Sequence, residues 1–282
     1  MHRQVTHSGL LGTALSVAGS DSGGGAGIQA DLAAFAYFRL HGTTAITAVT
    51  AQNPQAVTGI EALSPTLVRA QIAAVRAAFT LGAVKTGMLF DVPIIEAVAE
   101  ALADLGGTAL VVDPVMVATS GARLLREEAQ AVLAERLLPL ATLATPNLPE
   151  AEILLGRPLP DGPAAAAAAR ELAARHGIAV VVKGGHASGD RVTDFLATPT
   201  QLHAFHAPRV AAATTHGTGC SLSSAVAACL ALGDDLPTAF RRAKAYVLAR
   251  LRTVWQAGPA TAVMCPPGEL PLADIIWEVI AP

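Results

Sequence analysis

Cysteine is scarce in this chain of 282 residues: only Cys220, Cys229 and Cys265 occur. Three widely spaced cysteines make no disulfide framework, and no CxxC pair is present to hold zinc. Charge is scarce too, with 15% Asp, Glu, Lys and Arg and a formal net charge of -3. Without a basic field to neutralise phosphates along a backbone, nucleic acid is not an expected partner. Mean hydropathy is positive, +0.47, yet no run of roughly eighteen apolar residues is free of Gly, Pro and charge, so no membrane span is expected. The opening MHRQVTHSGLLG has no apolar core of the length a signal peptide needs. A reducing, cytoplasmic setting is therefore expected. Lysine is rarest among the charges: of nineteen basic residues only Lys85, Lys183 and Lys244 are lysines.

Apolar residues make up 52% of the chain, enough surface to bury against the entropy of folding. Gly and Pro divide the sequence into short β-branched runs alternating with longer Ala/Leu segments. Strands are expected at 13–19, 43–49, 83–88, 108–116, 141–147 and 178–185, with an antiparallel pair near 192–197 and 201–207. Helices are expected at 26–40, 65–80, 91–105, near 126–138, 149–155, from 164 to 176, and at about 218–232 and 235–255. Strands apolar throughout and alternating with helices imply a mostly parallel sheet covered on both faces. One α/β domain is expected over 13–260, preceded by a tail, 1–12, and followed by a tail, 261–282, that packs on or extends the same domain. In such sheets ligands bind beyond the carboxyl ends of the strands.

Four groups of residues stand at those ends. Gly19-Ser20-Asp21-Ser22-Gly23-Gly24-Gly25-Ala26-Gly27 follows the first strand and carries more glycine than a turn requires; a plain turn capped by Asp21 or Ser22 is the blander reading. Thr215-His216-Gly217-Thr218-Gly219-Cys220 opens a helix. Its free amides and the helix dipole make an anion hole, and a cysteine in the first turn is expected to have a lowered pKa. Cys229, in the same apolar helix, reads as core. Lys183 ends a buried strand, a costly place for a cation unless an anion meets it; Lys85 reads equally well as structural or functional. Asp113, Asn147 and Glu150 offer hard oxygen ligands suited to Mg²⁺, although a cap with a first-turn acid is the common use of Asn-x-x-Glu. Together these favour phosphoryl transfer.

Seven motifs in order, AGSDSGGGAGIQAD (18–31), TAVTAQN (47–53), KTGML (85–89), DPVM (113–116), TPNLPEA (145–151), VKGGH (182–186) and THGTGCSLSSA (215–225), resemble the hydroxymethylpyrimidine/phosphomethylpyrimidine kinases of the ribokinase-like superfamily. The resemblance spans about Thr13 to Arg250. It implies a single-domain ribokinase-like α/β fold, ATP and Mg²⁺ as cofactors, and two successive phosphorylations of 4-amino-5-hydroxymethyl-2-methylpyrimidine for thiamine synthesis. Gly19, Asp21, Ala26, Gln52, Met88 and Val115 would form the pyrimidine pocket. Gln52 suits the donor–acceptor edge of an aminopyrimidine. Lys183, Thr218, Gly219 and Asp113 would serve ATP, and Asn147 and Glu150 the metal, through water. Cys220 would take the hydroxyl proton, with Lys183, Gly217 and Gly219 supporting transfer; Asp113 through water is the other candidate base. The resemblance also implies a homodimer. After the last helices the family's Gly-rich segment is reduced to Gly258-Pro259. Pyridoxal kinase of the same superfamily is the alternative. From other classes, Cys220 with His216 as base could be a covalent nucleophile, or the chain could bind a pyrimidine without catalysis.

Overall fold

The protein, seen here as a computed structural model, is described over residues 9–118, 121–160, 164–184 and 189–280. The first strand, β1 (Gly12–Ala18), leads through the glycine loop to α1 (Gly27–Tyr37) and back to β2 (Leu40–Ile46), which pairs parallel to β1. A projecting antiparallel hairpin, β3 (Ala48–Gln52) and β4 (Val57–Ala62), follows. Then come α2 (Pro65–Ala78), β5 (Ala83–Thr86), α3 (Val92–Leu102), β6 (Ala109–Val112) and α4 (Glu127–Val132), which runs on through tighter and wider turns to Leu140. The chain continues as β7 (Leu143–Ala144), α5 (Leu148–Leu155), α6 (Ala164–His176) and β8 (Ala179–Val182). It then turns back in β9 (Arg191–Ala197) and β10 (Leu202–Pro208) before α7 (Thr218–Ala231) and α8 (Leu236–Arg252). The hairpin of β11 (Val254–Gly258) and β12 (Thr261–Met264) and the strand β13 (Ile276–Ile280) complete it.

The main sheet has the order β13-β10-β9-β8-β7-β6-β5-β1-β2. From β2 to β8 every pairing is parallel; β9, β10 and β13 are joined antiparallel. Strand side chains alternate between two cores, as a period of two demands. Leu15, Val84, Leu110, Val112, Val180 and Val182 face α2–α6, whereas Ala14, Ala83, Val111, Ala179 and Val181 face α1, α7 and α8. Because both faces are covered, β6, β7 and β8 are apolar without a break, while β1 and β5 carry buried polar residues, Ser16 and Lys85 among them. Helix starts follow local rules: Ser64 and Asp91 accept from Leu67 N and Ile94 N, each with proline in the first helical turn. Among the described residues no helix is long and apolar enough to cross a membrane.

The expected α/β architecture is present, with three differences. The segment 43–49 is not one strand: Thr47 breaks it, its hydroxyl bonding Met88 O, and TAVTAQN lies on the hairpin strand β3. The last long helix ends at Arg252 rather than 255, because Thr253 leaves helical geometry and Val254 begins β11, in which Trp255 is 62% exposed. Residues 261–280, assigned no elements from sequence, supply β12 and the sheet's edge strand β13.

Candidate active site

Every residue assigned to the site from the sequence lines one cavity of ≈ 700 Å³ at the carboxyl ends of the parallel strands. Gly19, Asp21, Ala26, Gln52, Met88 and Val115 stand at one end, with Leu124 and Met116 adding apolar wall. At the other end Val192, Val210, Val247 and Leu251 make a second apolar wall, which sequence reasoning missed because their positions look like ordinary core. Between the two walls sit Asp113, Asn147, Glu150, Lys183 and the helix start Gly217–Cys220.

The glycine loop is built around Asp21. Its carboxylate accepts from Gly23 N (2.8 Å), Gly25 N (3.0 Å) and Ala26 N (2.8 Å), and from His216 Nε2 at 2.9 Å. Burial would raise its pKa, but the His216 bond and the Ala26 and Gly23 amides hold it below the ordinary value. So the Asp21 carboxylate, expected in the pyrimidine pocket, is committed to shaping the loop, which lines the cavity at Gly19, Ser20, Asp21, Ala26 and Gly27. His216 correspondingly turns to Asp21 and not to Cys220, which removes the base required for a covalent nucleophile. Ser22 Oγ bonds both the backbone oxygen and nitrogen of Gln52 (2.7 and 2.8 Å), so the loop also holds Gln52 in place. The Gln52 side-chain oxygen meets Thr50 Oγ1 at 3.3 Å.

Gly217 caps α7 at φ +82°, and a Cβ there would lie 1.8 Å from Gly25 O. Only glycine permits both the conformation and the approach. Beyond it, the amides of Gly219 and Cys220 have no intrahelical acceptor and carry the positive end of the helix dipole. Cys220 itself corrects a sequence expectation. Burial pushes its thiol up to about 11, outweighing the nearby Lys85 and the Gly27 amide that donates to the sulfur. A helix start favours a thiolate, but desolvation is the larger effect here.

Lys183 is not an unpaired cation. Its Nζ lies 3.2 Å from Asp113 Oδ1 and 4.0 Å from Glu150 Oε2. Burial works against its charge, yet Asp113 and Glu150 hold its pKa above the usual lysine value. Asp113 is buried and also accepts from Thr145 Oγ1 and Ser223 Oγ. Asn147 and Glu150 form a reciprocal capping box at the start of α5, Asn147 Oδ1 with Glu150 N (2.9 Å) and Glu150 Oε2 with Asn147 N (2.8 Å). The common capping use is thus real. Burial pushes Glu150 up to about 7; Lys183 opposes the shift and Asp113 adds to it. The Asn147 amide oxygen is taken by the cap. No group of three or more His, Cys, Asp or Glu is placed to hold a metal among the described residues. A cation that keeps most of its waters and is anchored by phosphates needs no such cage, and the underneutralised Glu150 suits it. In the VKGGH motif, Gly185 and His186 lie outside the described residues.

An apolar pocket, a helix start bearing free amides and a lysine between two carboxylates, all at the ends of parallel strands, define a ribokinase-like kinase of a small molecule. The chain belongs to the phosphomethylpyrimidine kinase family, whose match covers residues 21–264. It is similar to the hydroxymethylpyrimidine/phosphomethylpyrimidine kinase of Rhizobium meliloti, 48% identical over 243 residues, 86% of this chain and 91% of the relative. The thiamine biosynthesis bifunctional protein ThiED of Geobacter sulfurreducens is 45% identical over 247 residues; the match takes in 88% of this chain but spans only half, 50%, of that relative's length. Among solved structures, an ADP complex of Bacillus subtilis pyridoxal kinase superposes with a TM-score of 0.82 at 33% identity, covering 90% of this chain and 97% of that one.

Proposed function

We propose that this chain transfers the γ-phosphoryl group of ATP to the hydroxymethyl oxygen of 4-amino-5-hydroxymethyl-2-methylpyrimidine, and then phosphorylates the monophosphate to the diphosphate. The observation that carries this reading is the place of the α7 start. It stands between a pocket lined by Gln52, Met88 and Val115 and the Lys183–Asp113–Glu150 group. Gln52 offers the amide that pairs with an aminopyrimidine edge, and Met88 and Val115 cover the ring. The apolar wall of Val192, Val210, Val247 and Leu251 takes the adenine. Lys183 and the Gly219 and Cys220 amides stabilise charge on the transferred phosphoryl group, positioning and electrostatics being most of what this chemistry needs. Glu150, with Asn147 beside it at the start of α5, would hold Mg²⁺ through water, and the cation would supply neutralisation of phosphate charge. Lys183, held by Asp113, needs little reorganisation to turn toward phosphate. As the new P–O bond forms and ADP leaves, the hydroxyl proton passes to the Cys220 sulfur. That sulfur must be ionised to accept it, and burial opposes this, so acceptance depends on Lys85, Lys183 and the α7 helix start offsetting that cost.

Pyridoxal phosphorylation is the second reading, favoured by the likeness to the pyridoxal kinase structure. An ADP-coupled assay with Mg²⁺ and each alcohol in turn separates them. Turnover of the pyrimidine with a kcat/KM well above that for pyridoxal is expected. No ADP release with the pyrimidine would refute the assignment, and preference for pyridoxal would transfer it to the second reading.

A further inference from the structure

Behind the phosphoryl-transfer site lies a buried charge cluster that the mechanism so far does not use. Lys85 on β5 and Asp31 on α1 form an ion pair at 2.8 and 2.9 Å, both side chains fully buried. Asp31 also accepts from Ser16 on β1 (2.5 Å) and Ser224 on α7. The surroundings are the apolar core between sheet and helices, with Ala14, Phe35, Ala83 and Ala228 all at 0% exposure. Burial works against the Lys85 charge, but the acidic groups around it, Asp31 foremost, together hold its pKa above the usual lysine value, so the lysine stays ionised. Such pairs contribute little net stability over well-packed apolar residues, so stability alone does not account for four polar side chains here.

Their position does. Gly27 and Asp31 are four apart on α1, as Cys220 and Ser224 are on α7, so each pair shares a helix face. The helices are joined on this face by the bond that Ser224 donates to Asp31, and Cys220 stands one turn earlier on α7, about 5.4 Å along the helix, with Gly27 one turn earlier on α1. The ion pair is thus bolted to the same face of α7 that presents the thiol. Gly87 completes the arrangement, since a Cβ there would fall 2.8 Å from Lys85 Nζ and 3.0 Å from the Ala18 side chain.

We propose that the Lys85–Asp31 pair is a positioning element of the kinase site, a fixed cation and its counter-charge that set how readily the Cys220 sulfur gives up and takes back a proton. This rests on the reading of Cys220 as the acceptor of the hydroxyl proton. The charged groups facing the thiol are Lys85 from β5, Asp31 from α1 and Asp113 from the end of β6, with Lys183 from the end of β8 also within electrostatic reach. Lys85 acts on it more strongly than Asp31 does. Removing either member of the pair should therefore move the thiol in opposite directions, which a merely structural role would not do.

The test measures the rate of Cys220 carboxamidomethylation by iodoacetamide against pH, read on the Cys220 peptide by mass spectrometry, in the full chain without substrates. Asp31→Asn leaves Lys85 uncompensated and should speed the reaction about tenfold at pH 8; Lys85→Met should slow it about tenfold. The double variant, with no pair, should return to within about threefold of the parent. The kcat–pH profile of Asp31→Asn should shift to lower pH alongside. Identical profiles, or shifts of both single variants in one direction, would overturn the proposal. Should Lys85→Met fail to fold, acceleration in Asp31→Asn and its reversal in the double variant decide the matter. If Cys220 is not the proton acceptor, the labelling profiles move while the kcat profile does not, which overturns the proposal's catalytic claim and points the failure at that reading.

Discussion

Replacing Glu150 with glutamine isolates a single buried carboxyl group whose protonation the fold perturbs. Burial, with Asp113 nearby, pushes Glu150 up to about 7 from an ordinary 4.5. The folded protein therefore binds this proton more tightly than the unfolded chain does, and stability falls as pH rises. The contribution is intact below about pH 4.5, is lost through the window from there to about 7, and stays lost above it. That displacement corresponds to about 3 kcal/mol in full, of which about 2 kcal/mol separates pH 5.5 from pH 8. The glutamine side chain cannot ionise, and its amide oxygen can still accept from the Asn147 backbone N–H, so the capping box survives. Glu150→Gln should then gain on the parent at pH 8 relative to pH 5.5 by about 2 kcal/mol. Urea unfolding of both proteins at the two pH values, without divalent cation, measures it, and the difference between proteins cancels the titrating groups that do not interact with Glu150. Parallel pH dependences would refute the argument, showing that Lys183 neutralises Glu150 fully. The same variant should lose activity, since the carboxylate that destabilises the empty site is the one assigned to Mg²⁺.

Gln52→Ala should raise KM for the pyrimidine about tenfold or more, through an unpaired partner worth about 1–3 kcal/mol, with KM for ATP near the parent value; equal losses for both substrates in steady-state kinetics would contradict the pocket. Cys220→Ser should lower kcat by about 10²–10⁴-fold, the range of general-base effects, with KM for ATP nearly unchanged. A parent-like kcat across neutral pH would leave Asp113, through water, as the base. Gly217→Ala must displace the Gly25 carbonyl and should lower Tm by roughly 5 °C or more while weakening both substrates; a thermal melt and a KM pair check it. The chain should be a homodimer, and light scattering that returned 28.6 kDa at micromolar concentration would refute this.

Much of the site was legible because its residues stand at strand ends, where glycine, proline and charge interrupt apolar runs. Lys183 is conspicuous after Ala-Val-Val-Val, and Gly217–Gly219 before a helix. What escaped was of two kinds. Pairings across the chain leave no local trace: Asp21 and His216 are 195 positions apart, and Lys85 did not announce Asp31 as its partner. Electrostatic balance also depends on burial, which spacing does not report; hence Cys220, at a favourable helix start, holds its proton more firmly than a free thiol. In the fold, β3 and β4 escaped as a hairpin because both strands are half-exposed, Val49 at 49%, and lack the unbroken apolar pattern of the central strands. The edge strand β13 has the same defect, with Ile276 and Val279 exposed.

The contact between Gly217 and the Gly25 carbonyl, with the His216–Asp21 bond beside it, bears on anyone who would re-engineer this enzyme. The glycine loop and the turn before α7 are two halves of one moulding, held by a close backbone approach and one side-chain bond. Exchanging residues 19–27 for those of a kinase with another alcohol would import a loop fitted to a different partner. A graft should therefore carry 215–220 with it, since a side chain at 217 would strike the Gly25 carbonyl and a loop without Asp21 would lose its bond to His216.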